Sequence, residues 1–247
     1  MRYFMRLAYN GANFHGWQTQ PNATTVQETI EHAMSTVLRK PISITGAGRT
    51  DAGVNAAMMI AHFDCDSMPE DTAPLVRSLN SLLGKNIAIY TIFKVDDDAH
   101  ARFDATSRTY KYFAHTVKSP FIYPLSWQCN PKLDFDKMNE AAKVLLQYTD
   151  FTSFSKLHTD VATNNCRITH AQWEPEGEQM VFTITADRFL RNMVRAIVGT
   201  LVDVGMGKIT KSDFCRIIEQ KDRCCAGTSM PGHALFLWDI TYPFEIK

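Results

Sequence analysis

The spacing of apolar residues in the first half of the chain predicts the order strand, helix, strand, strand, helix, strand. Strict alternation of apolar and polar residues indicates a strand, whereas apolar residues three and four positions apart indicate a helix. Thr25 and Glu28 suit a capping box at the start of the first helix, and Thr72 and Gly84 suit the two ends of the second. The four strands are predicted at residues 2–9, 42–45, 58–64 and 87–95.

The second half of the chain repeats this order, which is the ferredoxin-like order of elements. Its strands are predicted at residues 108–117, 166–173, 180–186 and 235–242, and its helices at 134–148 and 189–204. We therefore predict an α+β fold in which two ferredoxin-like (RRM-like) halves merge into one broad, mainly antiparallel sheet with helices behind it. An N-terminal α/β subdomain is expected over residues 1–104 and a C-terminal one over 105–247, with the active-site cleft between them.

The amino-acid composition is typical of two globular subdomains and does not indicate which class of ligand the protein binds. Hydrophobic residues make up 45% of the 247 residues and charged residues 21%, which is typical of folded proteins. Lys and Arg together number 26, as do Asp and Glu, so the net charge gives no support for a polyanionic ligand. Binding to nucleic acid would therefore depend on local clusters of basic residues.

The first residues and the cysteines indicate a cytoplasmic protein. Residues 1–6 alternate basic and apolar side chains and lack the long apolar run of a signal peptide or a membrane span. The six cysteines are scattered without a Cys-x-x-Cys pair, which is typical of thiols in a reducing compartment. We therefore expect a cytoplasmic location and no association with a membrane.

Motifs for nucleotides and metals are incomplete. Residues 46–51 begin like a dinucleotide-binding loop but have Asp51 where the third glycine belongs. Residues 205–209 lack the spacing and the Ser or Thr of a P-loop. The acidic run at residues 96–98 is typical of a solvated turn, since a hard cation needs several converging oxygen ligands. We expect no cofactor and no metal.

The loop at residues 46–54 combines three glycines with opposite charges on Arg49 and Asp51. Glycine permits tight turns and close approach of a ligand to the backbone. One interpretation is an Asx turn beside a surface arginine. The other is a catalytic carboxylate that neighbouring guanidinium groups keep ionised at neutral pH. The loop alone favours the first interpretation.

A resemblance that covers nearly the whole chain favours the second interpretation. Residues 48–54, with the sequence GRTDAGV, resemble the active-site loop of the tRNA pseudouridine synthase A family. Further segments resemble motifs of that family in the same order: residues 9–11, 15–21, 25–28, 100–106, 108–112, 150–154, 192–195 and 198–201. Several ordered motifs are far more specific than one loop.

The sequence departs from the family pattern directly after the loop. Asn55 stands where the family usually has His. An amide donates and accepts hydrogen bonds, so Asn55 can keep a structural role. If the family His positions RNA, we expect the affinity or the choice of substrate to differ in this protein.

The resemblance implies that Asp51 is the essential catalytic carboxylate. In the family, the matching Asp is needed to break the N1–C1′ bond of uridine and to rejoin the base through C5. Three routes stay open, namely attack on the sugar, attack on the base, and removal of a ribose proton. Each route needs an ionised carboxylate that is shielded from water.

The resemblance also implies roles for Tyr110, Arg195 and Leu235. Tyr110 matches the aromatic residue that stacks on the target base, which suits a uracil flipped out of its RNA stack. Its phenol is a further candidate for moving the C5 proton. Arg195 matches the arginine that pairs with the catalytic Asp, and Leu235 resembles the apolar wall of the uracil pocket. From the residues alone, Tyr110 is a packed strand aromatic and Leu235 a core residue.

Basic residues supply the candidate RNA contacts. Arg188, Arg191 and Arg195 are expected on one side of the helix at residues 189–204, where a solvated helix face is the alternative. Arg49 is a predicted substrate contact. The other predicted RNA-binding residues, whose phosphate contacts would make binding depend strongly on salt, are Arg102, Arg108, Lys156 and Arg191.

The function implied by the resemblance is isomerisation of uridine to pseudouridine in the anticodon stem-loop of tRNA, at positions 38 to 40. Family members act as homodimers with the RNA lying across both subunits. A homodimer would enlarge the basic surface of a chain that has no net charge. Two alternatives are a non-catalytic RNA-binding protein on the same platform, for which Asn55 is the only support, and a metal-dependent hydrolase that uses scattered Asp and His residues.

Overall fold

A computed structural model describes residues 1–156 and 163–246, and these residues form nine strands and five α-helices. The strands are β1 (Arg2–Tyr9), β2 (Thr45–Gly46), β3 (Asn55–Asp64), β4 (Ile87–Val95), β5 (Ser107–His115), β6 (Trp127–Gln128), β7 (Ile168–Glu176), β8 (Gln179–Ala186) and β9 (Leu235–Thr241). The helices are α1 (Val26–Leu38), α2 (Ala73–Leu82), α3 (Phe135–Ala142), α4 (Met193–Gly205) and α5 (Lys211–Gln220). The strand pairing is mainly antiparallel, which confirms the predicted α+β class.

The chain divides into two compact units. One comprises Met1–Thr106 and Leu237–Lys247, and the other comprises Ser107–Phe236. The end of the chain thus belongs to the first unit, although the sequence assigns it to the C-terminal subdomain. Hydrogen bonds explain the difference, because the backbone N–H of Thr106 donates to the carbonyl of Thr241 at 2.8 Å. The hydroxyl of Tyr242 also donates to the carbonyl of Ala101 at 2.5 Å.

In the first unit, β1 lies between β4 and β3 and pairs antiparallel with both. The adjacent residues Phe4 and Met5 of β1 are both fully buried, so the centre of this strand is covered on both faces. Helix α1 packs against α2, and α2 packs against β4. The short strand β2 pairs with β3, and the loop at residues 47–54 connects these two strands. Strand pairing therefore fixes both ends of the loop that contains Asp51.

In the second unit, β8 lies between β5 and β7 and pairs antiparallel with both, while the short β6 pairs with β5 in parallel. Helix α4 is buried along almost its whole length and packs against α3 and α5. Helix α5 is absent from the sequence prediction. It begins with a capping box in which the side chains of Thr210 and Asp213 each accept a backbone N–H of the other residue.

Helix α4 begins at Met193, four residues after the predicted start at residue 189. The residue before it, Asn192, adopts the left-handed conformation with φ 66°, through which a right-handed helix cannot continue. Arg188 and Arg191 therefore lie outside the helix. The predicted row of Arg188, Arg191 and Arg195 along one helix side is wrong, and only Arg195 belongs to α4.

Two strand boundaries also differ from the prediction. Strand β3 begins at Asn55, three residues before the predicted start, because Ala56 pairs with Tyr9 of β1. Strand β7 continues to Glu176, so the β7–β8 turn consists of residues 177–178. Within residues 1–156 and 163–246, no helix combines the length and the apolar character needed to cross a membrane.

Candidate active site

In the first unit, Asp51 lies in the loop at residues 47–54 that connects β2 to β3. Asp51 is half-buried, and its carbonyl accepts the backbone N–H of Val54 at 3.1 Å. This hydrogen bond closes a turn over residues 51–54 directly before β3. Arg49 is exposed on the same loop. The loop thus combines a partly sheltered carboxylate in a closed turn with an exposed guanidinium two residues away.

Residues 9–17, which we call the N-terminal segment, hold this loop through hydrogen bonds. The N–H of Trp17 donates to the carbonyl of Thr50 at 3.2 Å, and the N–H of Gly53 donates to the carbonyl of Phe14 at 3.2 Å. The hydroxyl groups of Tyr9 and Thr50 are 2.8 Å apart. These contacts lie on both sides of Asp51. They give a physical reason why the motifs at residues 9–21 and 48–54 occur together in one chain.

Two glycines of the N-terminal segment allow its backbone to approach the loop this closely. A Cβ atom on Gly11 would lie 2.2 Å from the carbonyl oxygen of Val54. A Cβ atom on Gly16 would lie 2.4 Å from the carbonyl oxygen of Thr50, and Gly16 also has a φ of +89°. Any side chain at either position would push the loop away, because the opposing atoms belong to its backbone.

Asn55, the residue that departs from the family pattern, is a buried structural residue. Its side chain is only 1% exposed, and its Oδ1 accepts the backbone N–H of Gly11 at 2.8 Å. A structural role was one of the two alternatives that the sequence left open. No surface contact with RNA is available to a residue buried to this degree in the first unit.

In the second unit, Tyr110 lies on β5 opposite Ile184 of β8. Its ring is half-buried and packs against Phe189 in a perpendicular arrangement, with the ring centroids 5.0 Å apart. Its neighbours in sequence make polar contacts, as strand alternation predicts. The Oγ1 atoms of Thr109 and Thr185 are 2.8 Å apart. Phe189 was not singled out from the sequence as a partner of Tyr110, because the predicted helix start placed it in α4.

Arg195 lies in the first turn of α4 and is held by the backbone of Met230. Its Nε donates to the carbonyl of Met230 at 2.5 Å, and the N–H of Met230 donates to the carbonyl of Arg195 at 3.1 Å. The side chain is half-buried. This reciprocal pair fixes the orientation of the guanidinium group.

Tyr112, which shares the strand face of Tyr110, is fully buried. Burial raises the pKa of its phenol far above the ordinary value, and the nearby positive charge of Arg195 only partly opposes this effect. The hydroxyl oxygen has no hydrogen-bond partner among the described residues. The phenol of Tyr112 therefore stays protonated at neutral pH.

The structure brings basic residues of the second unit together in two pairs. The N–H of Lys156 donates to the carbonyl of Arg191 at 3.1 Å, so these two predicted RNA contacts are neighbours. The guanidinium of Arg108 donates to the carbonyl of Asp187 at 2.9 Å. The Asp187 carboxylate in turn accepts the backbone N–H of Arg188 at 2.7 Å. Asp187 thus contacts both Arg108 and Arg188. The spacing of these residues in the sequence does not reveal that Arg108 and Arg188 share this partner.

The remaining predicted site residues are Arg102 and Leu235. Arg102 belongs to the first unit, where it is exposed and its guanidinium lies 5.8 Å from the ring centroid of Phe103. Leu235 begins β9 and is only 4% exposed. Such burial fits a core residue as well as the wall of a small apolar pocket. Among the described residues, no group of three or more His, Cys, Asp or Glu side chains is arranged to hold a metal ion.

Comparison with known proteins places this fold and these loops in one family. Residues 6–104 and 141–243 match the family described as tRNA pseudouridine synthase. The chain is 62% identical to tRNA pseudouridine synthase A of Parabacteroides distasonis over 245 aligned residues. This alignment covers 99% of this chain and 97% of the relative. It is 39% identical to tRNA pseudouridine synthase A of Bacillus subtilis over 248 aligned residues. That alignment covers 98% of this chain and 99% of the relative.

The relative of the same name from Bacteroides fragilis is 58% identical over 246 residues, covering 99% of this chain and 98% of the relative. Identity at this level over almost the whole length leaves the order of motifs intact. The chain therefore belongs to the tRNA pseudouridine synthase family, and the resemblance noted from its motifs is confirmed.

Proposed function

We propose that this protein, an isomerase that makes pseudouridine in tRNA, acts on uridines 38 to 40 of the anticodon stem-loop with Asp51 as its catalytic carboxylate. Membership of the family supports the reaction and the RNA class. The observation that supports Asp51 most directly is its place in a closed turn that the N-terminal segment holds on both sides. A carboxylate held in this way keeps its orientation before the substrate arrives, which is what preorganised catalysis requires.

The reaction needs one carboxylate and no external reactant. The N1–C1′ bond of uridine breaks, the base turns, and a C5–C1′ bond forms. The proton leaves C5, and a proton is gained at N1, so atoms balance within the substrate and the solvent. Asp51 serves by attack on the sugar, by attack on the base, or by removal of a ribose proton. All three routes stay open in this proposal.

Tyr110 and Leu235 are proposed to bind the uracil ring, and Arg195 to support the reacting carboxylate. The perpendicular contact with Phe189 supports the role of Tyr110, because it holds the ring in one orientation on β5. Stacking on an aromatic ring contributes about 1–3 kcal/mol per base and replaces neighbours that a flipped base has lost. The bond from Arg195 to the Met230 carbonyl supports a fixed guanidinium rather than a mobile surface group.

Arg49, Arg102, Arg108, Lys156 and Arg191 are proposed to contact the RNA. Arg49, Arg102, Lys156 and Arg191 are exposed, and Lys156 and Arg191 are adjacent in the structure. Because the chain has no net charge, we propose that it acts as a cytoplasmic homodimer in which two basic surfaces serve one RNA.

Release of tritium from tRNA labelled at uracil C5 tests the proposal. We expect the wild-type protein to release tritium from an unmodified tRNA transcript in the presence of EDTA, and Asp51→Asn to release none while still binding the RNA. Transcripts with C in place of U at position 38, 39 or 40 then locate the reaction. Tight binding of tRNA without tritium release by the wild-type protein would favour a non-catalytic RNA-binding protein, and loss of activity in EDTA would favour metal-dependent chemistry.

A further inference from the structure

The side chain of Asn55 joins the end of the catalytic loop to the start of the N-terminal segment. It is 1% exposed, and its Oδ1 accepts the N–H of Gly11 at 2.8 Å. Asn55 is also the first residue of β3, where strand pairing begins. One buried side chain thus connects a strand end, a loop end and a second segment that is 44 residues away in sequence.

The backbone that Asn55 binds is packed closely against the catalytic loop. Gly11 packs so closely on the carbonyl of Val54 that a Cβ atom would lie 2.2 Å from its oxygen. Asn55 follows Val54 in the chain, so its hydrogen bond pulls the backbone of Gly11 onto the residue that closes the turn. A buried N–H that loses its acceptor must find another partner or move toward water. Loss of the Asn55 side chain is therefore expected to displace Gly11 and Val54 together.

The displacement would reach Asp51 through one further hydrogen bond. The N–H of Val54 donates to the carbonyl of Asp51 at 3.1 Å and closes the turn. The path from the Gly11 N–H to Asp51 consists of the amide of Asn55, the backbone of Val54 and this bond. It contains no exposed or flexible side chain.

We infer that Asn55 is a positioning residue, which sets the orientation of Asp51 by accepting the Gly11 N–H. The inference depends on the proposed role of Asp51 and concerns how this chain holds it. A neutral imidazole also presents one nitrogen that accepts a hydrogen bond, so His can offer the same acceptor as Asn. The chemistry required at position 55 is therefore a buried acceptor, which Asn and His both provide.

Steady-state tritium release from C5-labelled tRNA, with direct measurement of tRNA binding, tests the inference. In Asn55→Leu, which keeps the branched shape and the number of heavy side-chain atoms but removes the acceptor, we expect kcat to fall about 10- to 100-fold, because small misplacements of a catalytic group have effects of this size. We expect the KM and the affinity for tRNA to change less than about threefold, since the loss is confined to the transition state. In Asn55→His, we expect kcat to return to within about fivefold of wild type.

Asn80→Leu, at a more exposed position, is the control for loss of an Asn side chain that binds backbone. Asn80 lies in the same unit, where its Nδ2 and Oδ1 each form a 2.8 Å hydrogen bond with the backbone of Ile89. This change removes two bonds of the same kind at a place remote in sequence from the loop. We expect it to lower the melting temperature and to leave kcat unchanged. If Asn55→Leu does not fold, Asn55→Ser replaces it, because the shorter side chain also leaves Gly11 without its acceptor.

The outcomes separate this inference from the proposed function. Wild-type kcat in Asn55→Leu and Asn55→Ser would overturn the inference, as would a loss that appears only in KM or in tRNA binding. Failure of Asn55→His to restore kcat would overturn the argument that an acceptor is what matters. Asp51→Asn with full tritium release would instead refute the proposed role of Asp51. An inactive Asp51→Asn beside a fully active Asn55→Leu would refute only the positioning role.

Discussion

Replacing Gly11 by Ala tests how strongly the N-terminal segment controls the catalytic loop. The added Cβ would lie 2.2 Å from the carbonyl oxygen of Val54, 2.6 Å from its carbonyl carbon and 2.9 Å from the carbonyl carbon of Gly53. Few Cβ atoms in proteins approach a neighbour closer than 3.4 Å. The two backbones must therefore separate by about 1 Å, since carbonyl groups cannot rotate away as side chains do.

The size of the effect follows from this separation. A displacement of about 1 Å at a catalytic group lowers the rate on the order of 100-fold, which corresponds to about 2.7 kcal/mol in the activation barrier. Overpacking of a well-packed site also costs about 1–3 kcal/mol of stability. We expect Gly11→Ala to show both effects, with the rate loss in kcat rather than in tRNA affinity.

Tritium release and thermal unfolding measure the two effects separately. Gly48→Ala is the matched control for stability, because no atom lies within 4 Å of a Cβ built on Gly48 in the same loop. We expect Gly48→Ala to melt at the wild-type temperature. Gly11→Ala with wild-type kcat and wild-type melting temperature would refute the argument, because it would mean that the loop tolerates a shifted N-terminal segment.

Three further predictions concern acid stability, base stacking and helix capping. Burial lowers the pKa of His62 to about 4. Between about pH 6.5 and pH 4, the unfolded chain therefore binds a proton that the folded chain does not. As the pH is lowered through this range, the free energy of unfolding falls by up to about 1.4 kcal/mol per pH unit. Urea unfolding at pH 7.5 and 4.5 should show a smaller loss in His62→Asn than in wild type, and equal losses would contradict the prediction. Tyr110→Phe keeps the ring and should bind tRNA with an affinity within about threefold of wild type. Tyr110→Ala should lose about 10- to 100-fold in kcat/KM. Wild-type activity of the Ala variant would exclude stacking on Tyr110. Thr210→Ala removes the capping box of α5 and should lower the free energy of unfolding by about 1 kcal/mol, or the melting temperature by roughly 2–4 °C. We expect no change in kcat. An unchanged melting temperature would show that the cap is dispensable.

The sequence predicted elements best where local pattern and tertiary packing agree. Strands β1 and β4 lie at their predicted bounds, because β-branched or alternating apolar residues fill them from end to end. Helix α5 was missed because it is short and polar overall: only Phe214 and Ile218 of its ten residues are buried, although their spacing of four is helical. The start of α4 was wrong because Phe189 and Leu190 continue the apolar pattern, whereas the left-handed backbone of Asn192 interrupts the helix.

The candidate site was predictable as a set of residues but not as an arrangement. The motif around Asp51 and its order relative to Tyr110 and Arg195 are properties of the sequence. The hydrogen bonds from residues 9–17 to the loop join segments more than 30 residues apart, and no periodicity encodes them. The role of Asn55 as a hydrogen-bond acceptor depends on its burial. Burial of a polar residue at the start of a strand cannot be predicted from its residue type.

The return of residues 237–247 to the first unit has a consequence for synthesis of the protein. The hydrogen bonds that Thr241 and Tyr242 make with Thr106 and Ala101 join residues synthesised after the second unit to a unit that is otherwise complete after residue 106. At roughly 5–20 residues per second, the ribosome adds the intervening segment in on the order of ten seconds. During that interval the nascent chain already contains Asp51 but not the strand that completes its unit. We expect the first unit to reach its final stability only after residues 237–247 have left the ribosome, so that folding of this unit has to wait for synthesis of the second.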